Sequence, residues 1–233
     1  MKYHLSAYHS GLGDWLQLST LPERLSALGH EVHLWEKAEF RNAGIRELIL
    51  KNPYILPPIP GAEWSLGDIP GLAYKNDQRS FIANWEAMFE MVPENDLPKI
   101  YYEPKYIGKF EGIIELSAIH HKFNAEELVR NTQLLIAANP GVNWFQLVSK
   151  WQSNPVLIPG IQQLQIRDIF QLCDIINNCI TFVSCMSGQH SLSAAIQRTN
   201  ASLKQYCFIP QSDWKWVMES QKFVYPNIHY IPT

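Results

Sequence analysis

The feature that most constrains this chain is a βαβ pattern within its first 36 residues. Tyr3 to Tyr8 alternates apolar and polar side chains, as a half-buried strand does. His9-Ser-Gly-Leu-Gly-Asp-Trp15 follows, then a helical pattern whose apolar face is Leu16, Leu18, Leu21, Leu25 and Leu28. Pro22 interrupts it, Gly29 is placed to end it in left-handed backbone, and Glu31 to Glu36 alternates again as a second strand. Strand, glycine turn, helix and strand close right-handed and leave a crevice at the strands' carboxyl ends. Gly11 and Gly13 therefore sit where missing side chains admit a ligand and where a helix N-terminus points inward.

That turn is not a dinucleotide fingerprint. The third glycine of G-x-G-x-x-G falls at Leu16, and no Walker lysine follows, so NAD and ATP hydrolysis lose support. Asp14 opens the helix and has two readings: a cap or first-turn carboxylate that stabilises the dipole, or a general base facing the crevice.

The middle of the chain changes character. From Asn52 to Pro104, eight prolines break it into loops and short helices, with one clear amphipathic helix from Phe81 to Val92. The stretch from Pro98 to Pro104 suits a linker between two domains, residues 1–104 and 105–233.

Alternation of strand and helix then returns. Phe110 to Ala118 reads as a strand, and Asn124 caps a helix from Ala125 to Ala138 with Glu127 at the capping-box position. Asn143 to Val148 and Val156 to Ile158 read as short strands, Ile166 to Ile176 as a helix and Ile180 to Ser184 as a buried strand. After it, Ser187-Gly-Gln-His190 starts a helix carrying Leu192, Ala195 and Ile196. A helix start of that kind binds anions through unpaired N–H groups, which makes Ser187, Gly188 and Gln189 contacts for phosphate; capping and turn relief explain the same residues. The fold class is α/β, with two Rossmann-like doubly wound halves and parallel sheets.

Composition sets the outer bounds. A 233-residue chain that is 46% hydrophobic and 18% charged has material for a real core and little for long disordered tails. A net charge of −3 gives no electrostatic reason to expect nucleic acid as a partner. No apolar run is long enough for a transmembrane segment and the N-terminus lacks a secretion signal's apolar core, so a cytoplasmic protein is expected. Cys173, Cys179, Cys185 and Cys207 match no zinc or redox spacing and read as buried reduced thiols, so neither metal nor cofactor is expected. Trp214 and Trp216 fit either an oligomer interface or the core face of a last helix.

Three stretches together resemble the ADP-heptose:lipopolysaccharide heptosyltransferases and related GT-B glycosyltransferases. Gly11-Leu-Gly-Asp14, before a leucine-rich helix with Leu21-Pro22, is similar to that family's N-terminal loop, whose aspartate is proposed to deprotonate the acceptor hydroxyl. Ser117-Ala-Ile-His-His-Lys122 is similar to its phosphate-binding segment. Ile166 to Ile176, Phe182 to Ser184, Ser187-Gly188 and Ser193 to Ala195 resemble the helix, strand and D-[TS]-G-x-x-H-x-x-A-A start that hold the donor diphosphate. Met186 stands where the family has aspartate, and Ser191 where it has histidine, with His190 one place earlier.

The resemblance implies metal-independent transfer of a sugar from a nucleotide-diphospho-sugar to a glycan or other hydroxyl acceptor. Asp14 would be the base. Ser117, His120, Lys122, Ser187, Gly188, Gln189 and His190 would face the donor, and His9, Gly11, Gly13 and Gln17 the acceptor. Two rivals share the scaffold: a non-catalytic sugar- or nucleotide-binding protein, and a nucleotide-sugar hydrolase in which Asp14 activates water.

Overall fold

The computed structural model describes residues 1–66, 80–117, 123–149 and 156–233. The chain forms two parallel sheets. In the smaller, β1 (Lys2–Leu5) pairs with β2 (Glu31–Leu34), with Leu5 beside Leu34. Between them run two helices where the leucine pattern predicts one: α1 (Leu12–Gln17) and α2 (Leu21–Ala27). The break has a cause in Pro22, which lacks an N–H and is tolerated only in the first turn of a new helix. Leu16, Leu21 and Leu25 are buried as expected, but Leu28 caps α2 and is 56% exposed. Gly29 adopts φ 78°, the left-handed conformation its position demanded.

After β2 come α3 (Ala43–Ile49) and α4 (Phe81–Met88). The predicted helix to Val92 ends four residues early, at Met88, and Glu90 turns the chain at φ 58°. Val92 is exposed. The stretch 98–104 is tied down on both sides. Lys99 N–H donates to Ser19 Oγ at 2.8 Å, and the Tyr102 hydroxyl donates to Asp174 at 2.9 Å.

The larger sheet has six parallel strands in the order β5-β4-β3-β6-β7-β8. They are β3 (Phe110–Glu115), β4 (Trp144–Ser149), β5 (Gln162–Ile166), β6 (Cys179–Cys185), β7 (Lys204–Ile209) and β8 (Ile228–Pro232). The connecting helices are α5 (Ala125–Ala137), α6 (Ile169–Asn177), α7 (Gly188–Ile196) and α8 (Gln211–Ser220). Asn124 caps α5 by accepting from the N–H groups of Glu126 and Glu127, as predicted. Residues 156–158 form no strand. The strand of that region is Gln162–Ile166, and α6 begins only at Ile169, where Asp168 caps it through the Gln171 N–H. Three of its five residues are glutamines, Gln163 and Gln165 making up the whole of one face, so its apolar content is too low to announce it. α8 holds both Trp214 and Trp216: Trp214 packs against the cluster of Met186, Cys207, Ile209 and Val217, while Trp216 is 49% exposed.

One hydrophobic cluster joins the two sheets. It runs from Leu5, Trp15, Leu16 and Leu25 through Ile45 and Leu48 to Ile169, Leu172, Phe182, Leu192 and Ile196. The four cysteines are buried and free, and burial pushes the thiols of all four up. Among the described residues no helix is long and apolar enough to cross a membrane.

Candidate active site

Strand order locates the crevice. From β3 the chain moves to β4 and β5 on one side, and then returns to β6, β7 and β8 on the other, so the direction of winding reverses between β3 and β6. In open α/β sheets ligands bind outside the carboxyl ends of the strands at such a reversal. Ser117 follows β3 there and Ser187 follows β6.

A chain of side chains spans the gap. The Gln189 amide donates to Ser117 Oγ at 3.3 Å, and Ser187 Oγ lies within donating distance of Gln189 Oε1 at 2.8 Å and of the Cys185 carbonyl at 3.1 Å. Ser117 Oγ in turn donates to Glu115, whose carboxylate is buried at the end of β3 and also accepts the Ser117 N–H at 3.4 Å. Glu115 is absent from the sequence-derived set. The available signal was a carboxylate directly after the apolar Ile113-Ile114 pair, where an unpaired charge is costly.

Helix starts distinguish this region from the remainder of the molecule. Asn42, Ser80, Asn124 and Asp168 each cap a helix by accepting a backbone N–H, and α2 and α8 begin at prolines. Of the described helices that leaves α1 and α7, whose N-caps Gly11 and Ser187 make no side-chain cap bond. These two starts meet. A β-carbon on Gly188 would lie 2.8 Å from Leu12 Cβ and 3.2 Å from the Gly13 nitrogen, and one on Gly13 would lie 3.6 Å from Gly188 Cα. Only glycine at 188 lets the two backbones approach this closely.

Asp14 is half-buried in the first turn of α1, its carboxylate folded back toward Gly11. One turn on, Gln17 points inward, buried, and donates to the Tyr225 hydroxyl. That hydroxyl donates to Ser191 Oγ of α7 at 3.0 Å, so a fully buried tyrosine from the C-terminal segment joins both helices. Burial pushes its hydroxyl up to about 12, with Asp14 adding to the rise. His190 is buried too, its Nε2 3.0 Å from the Tyr230 hydroxyl and its ring against Tyr225. Met186 lies in the core with Cys207, Ile209 and Val217. His9 is exposed beyond β1, its ring 4.4 Å from that of Tyr8. His120 and Lys122 lie outside the described residues.

The structure thus brings together Gly11, Gly13, Asp14, Ser117, Ser187, Gly188 and Gln189, and turns Gln17 and His190 into the core. Tyr225 and Tyr230, which hold those two inward-facing residues, carry no sequence signal, because their partners are 34 or more residues away.

Two parallel α/β sheets whose helix starts converge on one crevice form a GT-B-like fold. The chain is similar in structure to the iron-containing dodecameric glycosyltransferase TibC of enterotoxigenic E. coli H10407, with a TM-score of 0.61 at 12% identity over 97% of this chain and 62% of that one. It is also similar to a glycosyl transferase family 9 protein of Veillonella parvula, with a TM-score of 0.64 at 10% identity over 100% and 84%. E. coli heptosyltransferase WaaC, solved with ADP, gives a TM-score of 0.60 at 11% identity over 100% and 93%. The chain spans about three-fifths of the length of TibC. Compared by sequence, it matches no family model and no curated protein.

Proposed function

We propose that this protein transfers a sugar from a nucleotide-diphospho-sugar to a hydroxyl acceptor, with residues 1–104 serving the acceptor and residues 105–233 the donor. The observation that carries the reading is the meeting of α1 and α7 at Gly13 and Gly188, which brings a carboxylate and a set of uncapped amides to the same crevice. In the reaction the acceptor O–H gives its proton to Asp14 as its oxygen bonds to the anomeric carbon. The bond from that carbon to the diphosphate oxygen breaks, and the diphosphate leaves with the electron pair. Its growing charge is met by the N–H groups at Ser187 to Gln189 and the α7 dipole, with Lys122 as the added cation. The complex of WaaC with ADP supports a nucleoside diphosphate as the ligand to try first.

His190 and Gln17 have no direct part in this scheme, since both are held in the core. Asp14→Asn tests the base: turnover in a transfer assay should fall while nucleotide binding stays. Full turnover in that variant would remove Asp14 from the mechanism.

One observation favours binding without transfer. Met186, in the place of the family's aspartate, is a core residue, and Ser191, in the place of its histidine, is taken up by Tyr225. Product analysis separates the readings: transfer requires an acceptor, hydrolysis proceeds without one, and a binding protein yields neither product.

A further inference from the structure

The chain of hydrogen bonds across the crevice has a direction, and the direction is set at a buried carboxylate. Glu115 ends β3 with 1% of its surface exposed, and both of its oxygens accept from Ser117: Oε1 from the hydroxyl and Oε2 from the backbone N–H at 3.4 Å. An ionised carboxylate only accepts, and a serine hydroxyl has a single hydrogen. Ser117 spends that hydrogen on Glu115 and can only accept from its next neighbour.

That neighbour is Gln189, in the first turn of α7. An amide side chain has a donor end and an acceptor end, and the network around it decides which way it faces. With Ser117 limited to accepting, Gln189 turns its nitrogen to Ser117 Oγ at 3.3 Å and its oxygen to Ser187 Oγ at 2.8 Å. A carboxylate at the end of β3 thus orients an amide two links away on α7.

The orientation matters for an anion. The amide nitrogen carries two hydrogens, and Ser117 takes one. Among the described residues the other makes no hydrogen bond, and Gln189 is half-buried beside the uncapped N–H groups of the α7 start. Reversing the chain would exchange nitrogen and oxygen and put a lone pair where that N–H now stands. Through space, the negative charge of Glu115 opposes an anion in the crevice. Its effect through Ser117 and Gln189 has the opposite sign, so the two can be told apart.

We propose that Glu115 is a positioning residue for the donor: by accepting both donors of Ser117 it fixes Gln189 with an N–H toward the leaving diphosphate. The inference rests on the glycosyl-transfer reading, which supplies the diphosphate as ligand.

Nuclear Overhauser contacts and titration calorimetry test it together. In ligand-free wild type the Gln189 side-chain amide protons should lie against the Ser117 β-protons. In Glu115→Met, which leaves the Ser117 hydroxyl no acceptor at that position, they should move toward the Ser187 β-protons. With ADP, GDP and UDP as probes, the nucleotide that wild type binds should bind Glu115→Met about tenfold more weakly, the loss of one hydrogen bond to a charged group. Added to Gln189→Ala, the same substitution should change affinity little, because Glu115 acts through that amide. Affinity in Glu115→Met equal to or tighter than wild type overturns the proposal and leaves the glycosyl-transfer reading standing, as does a tenfold loss that persists in the Gln189→Ala background. Binding of none of the three nucleotides by wild type overturns the donor reading, and the proposal with it. Should Glu115→Met melt well below wild type, the wild-type contacts decide: amide protons against Ser117 support the proposal, and amide protons against Ser187 overturn it.

Discussion

Helix α1 begins at Gly11 and carries a carboxylate in its first turn, Asp14, whereas α7 begins at Ser187 and carries none. Both starts lack the side-chain cap found elsewhere, and they touch through Gly13 and Gly188. The negative group and the open amides are thus sorted onto different helices. A carboxylate in the first turn of α7 would compete with an anionic ligand for the same N–H groups, while one across the contact can take a proton without occupying them. The division of labour proposed for the two halves is already present in how the helices begin.

The largest effect that sharpens this comparison is on turnover. Asp14→Asn should lower the transfer rate by about 10²- to 10⁴-fold with little change in thermal midpoint, read from product formation at saturating donor. A similar loss from Gln189→Ala, with nucleotide affinity unchanged, would break the comparison by moving the proton-handling role to α7.

Next in size is the contact itself. Gly188→Ala forces a methyl against Leu12 Cβ at 2.8 Å and the Gly13 backbone, so a cost of about 1–3 kcal/mol is expected, or roughly 2 to 12 °C in a melting scan.

Tyr225→Phe comes third. It leaves Gln17 and Ser191 buried without their shared partner, which should cost about 1–3 kcal/mol in denaturant unfolding. It should also change the alkaline arm. Burial raises the Tyr225 hydroxyl from 10.0 to about 12, so its contribution is complete below about pH 10 and is lost as pH climbs through 12. The stability gap between wild type and Tyr225→Phe should therefore narrow across that window.

The smallest effect is expected on the other side of the same contact. A β-carbon at Gly13 meets nothing nearer than Ser191 Oγ at 3.5 Å, Gly188 Cα at 3.6 Å and the Gly188 nitrogen at 3.9 Å, all ordinary contacts. Gly13→Ala should stay within about 0.5 kcal/mol of wild type, with helix propensity favouring alanine. Equal destabilisation by the two alanines would show that the helix starts approach one another differently in solution.

Much of this arrangement is legible in the sequence, because the features concerned are local. The first βαβ unit, the left-handed Gly29, the Asn124 cap and the buried strand before Ser187 follow from periodicity and from residues with restricted backbone preferences. The misreadings are instructive. Leu16 to Leu28 has the period of one helix, yet Pro22 makes it two. Gln162–Ile166 is a strand because β4 offers it a ladder, not because Gln-Gln-Leu-Gln-Ile has the pattern of one.

The candidate site divides the same way. Gly11, Gly13, Asp14, Ser187 and Gly188 were found because glycine turns and helix starts are written in consecutive residues. Nothing in the sequence could direct Gln17 and His190 inward, since their partners Tyr225 and Tyr230 are far along the chain. Glu115 acquires its role, and Gln189 its bond to Ser117, only when β3 and β6 lie side by side. The sequence by itself determined most of the elements, their order and the glycine turns at which α1 and α7 begin, because those depend on backbone preferences over a few residues. Which polar groups face the crevice and which are consumed in the core was decided by tertiary structure, because hydrogen-bond partners are assigned by packing between segments that the sequence keeps apart.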